Sequence, residues 1–297
     1  MSCVSRSGPS PLPRVSELPP VSEEDFRKVC EFLYRQTGMI FNESKRYYVD
    51  RRIGDRMTAL GLTSFPLYFS RLRSDIEGEI ETFINAFTVN ETYFYREDHQ
   101  LSCLTNDLLN ELARTKRPGA PFRIWSAPCA TGEEPYSIAI WLLENWRDVD
   151  KYEIEIVGSD IDTRCIEAAR AGEYGARALM RLTPELIQKY FESVGEERWR
   201  IVLDLRDSVR FTSVNIVEPL DTWAHGTFDV IFCRNVLIYF DDASRRVAAE
   251  NLYESLVPGG FICLGHTESM SRISPLFEVR RFVDAIVYQR PRGNAHG

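Results

Sequence analysis

The sequence predicts a doubly wound α/β fold, a mostly parallel sheet with a small inserted β-subdomain, preceded by an all-helical N-terminal domain. Three observations lead there. Beyond residue 120, short apolar runs rich in β-formers alternate with helical patterns, which is how parallel strands and their crossover helices read. The first of these runs leads into a turn of small residues and a helix opening on two glutamates, a layout suited to receiving a ligand. The chain before them places its apolar side chains at three-and-four spacing, as helices do.

Taken in order, residues 1–20 (MSCVSRSGPSPLPRVSELPP) are rich in Pro and Ser and are expected to form a disordered tail. The helical domain covers 21–95. Ser22 before Glu23, Glu24 and Asp25 predicts a capped, acid-first helix with Phe26, Val29, Cys30, Leu33 and Tyr34 at helical spacing. A second helix over 43–60 carries Val49, Ile53, Met57 and Leu60 as its buried stripe and ends at Gly61. Residues 65–72 and 76–87 read as further helices. On the second helix Lys45, Arg52 and Arg56 stand at i, i+7 and i+11, in one arc able to dock an acidic partner; a solvated face is the alternative.

A linker over 96–120 leads to the second domain, 121–291. Its first strand holds Phe122, Ile124 and Trp125, and a second, at 153–161, ends near Asp160, with Asp162 capping the next helix. Strands follow at 209–216, 228–233 and 261–265. A helix over 243–256 stops before Pro258-Gly259-Gly260, and 277–282 with 285–290 read as an antiparallel pair. The stretch 172–206 is too long for a simple crossover. It is expected to be an insertion with a helix at 183–191 and two short strands, one at 198–203 and one running into Val209.

The chemistry gathers at FRIWSAPCATGEEPYSIAIWLLENW, residues 122–146. Its turn has one glycine, Gly132, and no lysine, so phosphate-cradling and dinucleotide motifs both fit poorly. Glu133 and Glu134 would repel a pyrophosphate, yet they accept hydrogen bonds from ribose hydroxyls or an ammonium. A ligand with a sugar and a positive charge follows, and S-adenosylmethionine fits better than NAD or ATP. Asp160, closing a strand, suits the ribose; Asn215 and Ile216 close the next and suit an adenine; Arg234, Asn235 and Tyr239 follow the fourth. In TVNETYFYRE, residues 88–97, Arg96 can pair bidentately with a carboxylate.

Composition narrows the class. With 44% hydrophobic and 27% charged residues the chain reads as globular, and no apolar run is long enough for membrane insertion. A cytoplasmic location is expected. The seven cysteines form no C-x-x-C pair and the four histidines no ligand spacing, so neither a disulfide framework nor a metal is expected. Cys129, inside the ligand loop, is read as a small side chain that fits. The formal net charge of −8 argues against nucleic acid.

The segments NETYFYRE, WSAPCATGEEPYSIAI, SDIDTRCIEAARAGEY, FDVIFCRNVLIYF and LGHTES together resemble the CheR family, the glutamate methyltransferases of chemotaxis receptors. The resemblance covers most of the chain, from about Val21 to Arg290. It implies a Rossmann-like class I methyltransferase sheet, S-adenosylmethionine as methyl donor and S-adenosylhomocysteine as product. The implied acceptors are glutamates on the cytoplasmic helical bundle of methyl-accepting chemoreceptors; a monomer is expected, although the sequence leaves oligomeric state open. By motif it implies cofactor contacts from Asn90, Thr92, Arg96, Glu134, Asp160, Asn215, Ile216, Arg234 and Asn235, with Arg96 and Tyr239 nearest the reaction. Two departures stand out: Pro128 replaces a small loop residue, and the insertion looks short. The latter suggests independence of a receptor's C-terminal pentapeptide. The competing reading is a non-catalytic module that binds S-adenosylmethionine or S-adenosylhomocysteine and signals.

Overall fold

The computed structural model describes residues 21–117 and 119–293, and the expected tail at 1–20 lies outside them. The chain forms two compact units that divide between Thr88 and Val89.

The first unit is helical: α1 (Glu23–Thr37), α2 (Arg46–Ala59), α3 (Phe65–Arg73) and α4 (Glu79–Phe87). The Ser22 hydroxyl oxygen accepts from the Asp25 N–H at 3.1 Å, and Gly38 ends α1 in the left-handed region. The expected second helix begins later than read, because Asn42 caps a separate 3-10 turn over Glu43–Lys45. The fourth begins at Glu79 instead of residue 76, since Asp75, Glu77 and Gly78 all take positive φ. Phe26, Val29, Leu33, Val49, Ile53, Met57, Tyr68, Leu72, Phe83 and Phe87 form its core.

The expected docking arc is not an open basic face. Arg56 makes a fork of bonds to the buried Glu79, at 3.0 and 2.6 Å, and the Tyr68 hydroxyl donates to the same carboxylate at 3.1 Å. Arg52 donates from Nε to the Ala86 carbonyl at 2.7 Å and lies over the Tyr48 ring. Helical spacing placed all three side chains in one arc but could not say that two reach α4. Lys45 stays exposed, as does Arg51.

The second unit opens with a helical run through the expected linker: α5 (Asp98–Cys103), a π turn (Leu104–Leu108) and α6 (Leu109–Ala113). Leu101, Leu104, Leu108, Leu109 and Leu112 are buried in the core, so this stretch is structural. Then come β1 (Phe122–Ser126), α7 (Glu133–Asn145), β2 (Ile154–Asp160) and α8 (Thr163–Ala171). The insertion holds β3 (Glu173–Gly175), α9 (Ala176–Leu179), α10 (Pro184–Tyr190), β4 (Phe191–Gly195), β5 (Arg198–Ile201) and α11 (Leu203–Asp207). The sheet strands resume with β6 (Val209–Ser213), α12 (Pro219–Trp223), β7 (Phe228–Cys233), α13 (Asp242–Glu254), β8 (Leu256–Leu264), β9 (Glu278–Arg281) and β10 (Ile286–Gln289).

The insertion differs from expectation. Its sheet is three-stranded and antiparallel, in the order β3-β5-β4, and the run expected to be a strand before Val209 is instead α11. The sequence reading missed β4, which pairs with β5 across a tight turn where Glu197 has a φ of 50°.

The main sheet has the order β6-β2-β1-β7-β8-β10-β9. Strands β6, β2, β1, β7 and β8 run parallel, and β10 is antiparallel to both neighbours. From β1 the chain winds outward through β2 to β6, then returns to β7 on the other side. The switch between β1 and β7 opens a crevice at the carboxyl ends of the strands, where such sheets receive ligands. Among the described residues no helix is long and apolar enough to cross a membrane.

Candidate functional site

Four segments meet at the switch: the turn after β1, the end of β2, the turn after β7, and residues 90–97. Phe122, Ile124 and Trp125 bury β1, which carries Ser126 to the crevice floor. The chain then turns through a cis Ala127–Pro128 bond. The Ala127 N–H donates to the Phe232 carbonyl at 2.9 Å, and the Cys129 N–H donates to the Ser159 carbonyl at 2.8 Å. The turn therefore lies across β7 and β2 and brings its backbone to the strand ends.

Asp160 organises the first half. Its Oδ2 accepts from the Ala130 N–H at 2.8 Å and its Oδ1 from the Asp162 N–H at 2.9 Å. Burial pushes its carboxyl up to about 6, against the pull of those N–H groups. Asp162 caps α8 through the Arg164 N–H and also accepts from the Asn90 side chain at 3.1 Å. That bond ties the 90–97 segment to the end of β2.

Arg234 organises the second half. Its guanidinium, 3% exposed, donates to Glu134 Oε2 at 2.8 Å, to the Arg96 carbonyl at 2.8 Å and to Glu97 at 3.2 Å. The Ser126 hydroxyl donates to the other Glu134 oxygen at 2.8 Å. Burial raises the Glu134 carboxyl in spite of Arg234. At Glu97 burial pushes the same way, but Arg234 and His266 outweigh it and hold the carboxyl below its usual value. The two partners of one arginine, each 14% exposed, shift oppositely: desolvation prevails at Glu134, and Glu97 has the His266 ring beside it as a further hydrogen-bond partner. Glu133, beside Glu134, is buried, raised by that burial, and accepts from the Thr131 hydroxyl.

This arrangement suits an S-adenosylmethionine group. The buried acids of the two halves offer acceptors to hydroxyls and a cation, while the Arg234 Nε is buried with no protein partner. At the head of α7, Gly132 has a φ of 95°, and a Cβ there would lie 2.9 Å from the Ala169 Cβ and 3.0 Å from the Tyr174 hydroxyl. Left-handed residues other than glycine also gather here: Tyr95, Glu97, Ala130 and Asn235. Each costs on the order of 1–3 kcal/mol, a cost characteristic of functional sites. Burial holds the Cys129 thiol well above its ordinary pKa, so it stays neutral.

Not every expected residue meets another directly. Asn90 and Asp160 meet through Asp162, and Glu134 and the Arg96 carbonyl meet at Arg234. The Arg96 guanidinium turns onto its own segment, donating to the Glu91 carbonyl at 2.6 Å and lying over the Tyr93 ring. Thr92 is half-buried on the same segment. Asn215 Oδ1 accepts from the Val217 N–H, and the Ile216 carbonyl accepts from the Asn251 amide, both just past β6. Tyr239 closes a 3-10 turn (Leu237–Tyr239) and is half-buried. Sequence reasoning assigned no role to Glu97 or Glu268, although both lay in segments singled out for resemblance. Glu97 joins the Arg234 cluster, and Glu268 accepts backbone N–H groups from the turn after β7.

Comparison with known proteins adds the chemistry. Residues 24–88 match the family description "CheR methyltransferase, all-alpha domain", and residues 90–285 match "CheR methyltransferase, SAM binding domain". The chain is 46% identical to chemotaxis protein methyltransferase 2 of Vibrio cholerae, over 91% of this chain and 94% of that protein. It is 40% identical to chemotaxis protein methyltransferase 2 of Pseudomonas aeruginosa, over 86% and 90%. It is 35% identical to the chemotaxis protein methyltransferase of Escherichia coli, over 91% and 92%.

Proposed function

Because the chain belongs to the CheR family and is an S-adenosylmethionine-dependent methyltransferase, we propose that its acceptors are glutamate side chains on the cytoplasmic helical bundle of chemoreceptors, converted to methyl esters for sensory adaptation. What supports the acceptor most is the 46% identity to a chemotaxis protein methyltransferase of Vibrio cholerae over 91% of this chain, beside a switch-point site whose acids around one buried arginine suit a cationic donor.

The bound donor supplies an electrophilic methyl on a sulfonium. Asp160, fixed by two N–H groups, would accept from the ribose hydroxyls, and Asn215 with Ile216 would border the adenine. Glu134 and Arg234 would frame the amino-acid end together with Asn90, Thr92 and Asn235. Arg96, here turned onto the Glu91 carbonyl, would have to swing away to hold a carboxylate, and the Tyr239 hydroxyl would orient the acceptor. A glutamate with an ordinary pKa of about 4.3 is already an anion at neutral pH, so no general base is required. What the protein adds is an in-line approach and removal of water from that carboxylate. Transfer of labelled methyl to chemoreceptor cytoplasmic fragments, released by mild base, tests the reading. Label that is absent from receptor, or stable to base, would sink it.

The ribose role makes a pH prediction. A hydroxyl donates to an ionised Asp160, and the ligand-free carboxyl titrates at about 6. The dissociation constant for S-adenosylhomocysteine should rise roughly tenfold per pH unit below that value and be flat above it. The sign for stability is opposite. A carboxyl raised by folding contributes stability at low pH that is lost as pH rises through about 6, whereas the ligand's added stabilisation grows with pH up to about 6 and is constant above it. Calorimetric titration from pH 5 to 8 measures the first, and Asp160→Asn should flatten the profile.

The receptor contact proposed for the helical unit falls to its exposed cations. Lys45→Glu with Arg51→Glu should raise KM for receptor by about tenfold while kcat and cofactor affinity hold, because rim charges act on encounter. Arg56→Glu, facing buried Glu79, should instead cost several kcal/mol of stability, on the order of 3–5. An unchanged KM in the first variant would remove this face from docking.

A further inference from the structure

Three backbone N–H groups from two different turns converge on one carboxylate. Glu268 Oε2 accepts from the Asn235 N–H at 2.8 Å and from the Gly265 N–H at 2.9 Å, while Oε1 accepts from the Leu237 N–H at 2.8 Å. Asn235 and Leu237 belong to the turn after β7, and Gly265 and Glu268 to the turn after β8. The two turns are in close contact. A Cβ on Gly265 would lie 2.6 Å from the Asn235 amide nitrogen, 2.9 Å from Glu268 Oε2 and 3.0 Å from the Asn235 N–H. Asn235 is held at a φ of 60°, in the left-handed region, at the point where the carboxylate grips its N–H. The next elements of chain are the 3-10 turn and Tyr239.

We propose that Glu268 is the positioning residue of the acceptor side: by tying the turn after β7 to the turn after β8, it fixes Tyr239 and thereby sets turnover. This rests on the acceptor role given above to Tyr239. The cofactor side has a further anchor, since Arg234 is held by Glu134, Glu97 and the Arg96 carbonyl, none of them a partner of Glu268, although Glu97 also meets His266 in the turn after β8. Loosening Glu268 therefore acts most on the stretch from Asn235 to Tyr239; Asn235 borders the cofactor side as well, so affinity falls too, but less than turnover. A displacement on the order of 1 Å at a reacting group costs about a hundredfold in rate, whereas ground-state affinity depends on many contacts. Burial raises the Glu268 carboxyl and the N–H groups oppose it, as expected for an anion met by backbone dipoles.

Glu268→Gln keeps the shape but turns an amide NH2 toward N–H donors. In the full-length protein, kcat for receptor methylation should fall about thirtyfold, while the dissociation constant for S-adenosylhomocysteine, whose site Asn235 also borders, should rise by less than about fivefold. Combined with Tyr239→Phe the losses should be markedly less than multiplicative, because both act through one hydroxyl. Gly265→Ala presses on the same contact from the other side and should give the same split. Amide hydrogen exchange reads the tie without any receptor: Asn235 and Leu237 should exchange on the order of a hundredfold faster in Glu268→Gln, with the α1–α4 unit unaffected. Unchanged protection, or a kcat loss matched by an equal loss of cofactor affinity, overturns the proposal. Absence of transfer by the wild-type protein would sink the receptor reading alone, since the exchange result stands apart from it.

Discussion

Arg234→Met is expected to lower the melting temperature by on the order of 10 °C and to weaken S-adenosylhomocysteine binding by at least about a hundredfold. The guanidinium is 3% exposed and joins Glu134, Glu97 and the Arg96 carbonyl. Removing it leaves two carboxylates facing each other in a poorly hydrated space. Breaking a buried pair in this way costs about 3–5 kcal/mol, and in a chain of this size each kcal/mol moves the midpoint by about 2–4 °C. The deficit should depend on pH. Glu134, already raised by burial, would lose its main opposing charge, and a carboxyl raised by folding gives stability at low pH that is lost as pH rises. The variant should therefore recover toward the wild-type midpoint near pH 5 and fall furthest behind at pH 8. Glu134→Gln added to it should restore part of the loss at pH 8. Scanning calorimetry across that range decides; a constant or vanishing difference would mean that the arginine is not holding the two acids.

Gly132→Ala should be the next most damaging change, at about 2–5 kcal/mol of stability and a tenfold or greater loss of cofactor affinity. A left-handed residue with a side chain costs about 1–2 kcal/mol, and overpacking adds about 1–3 kcal/mol. The added methyl would meet Ala169 in α8 and the Tyr174 hydroxyl, which donates to the Thr131 carbonyl at 2.8 Å. Relief can come only by moving the turn that carries Thr131 and Glu133, so stability and affinity should fall together. Urea denaturation and calorimetric titration would show it, and loss of one without the other would contradict the coupling.

Much of this was legible in the sequence, and the reasons differ by element. The strands at the switch were read because β1, β2 and β7 are mostly buried and therefore dense in aliphatic and aromatic residues, although Arg123, Glu155 and Asp229 interrupt them. Asp160 and Arg234 were found by position, as polar residues where such runs stop. Glu268 left no comparable mark: its role depends on three N–H groups from residues up to 33 positions away, which no local pattern encodes. The linker was misread although Leu101, Leu104, Leu108 and Leu112 carry helical spacing, because Ser102, Thr105, Asn106 and Asp107 dilute it. The insertion failed where a strand is most exposed. β4 exposes four of its five residues, so burial imposes no alternation there. Arg56 failed for a tertiary reason, since Glu79 is its partner only once α4 lies beside α2.

The π turn at Leu104–Leu108 marks a place where this helix can change length. One turn there is a residue longer than α-helical winding requires, so the extra residue is absorbed locally. Trimming a single residue from it would let the segment wind as an ordinary α-helix with the residues beyond keeping their faces, whereas the same deletion in α5 would rotate everything beyond it by about 100°. Leu109 and Leu112, buried in the core, would stay there in the first case and swing toward solvent in the second. Natural length variation within this helix would then be expected at the π turn and not in α5 or α6.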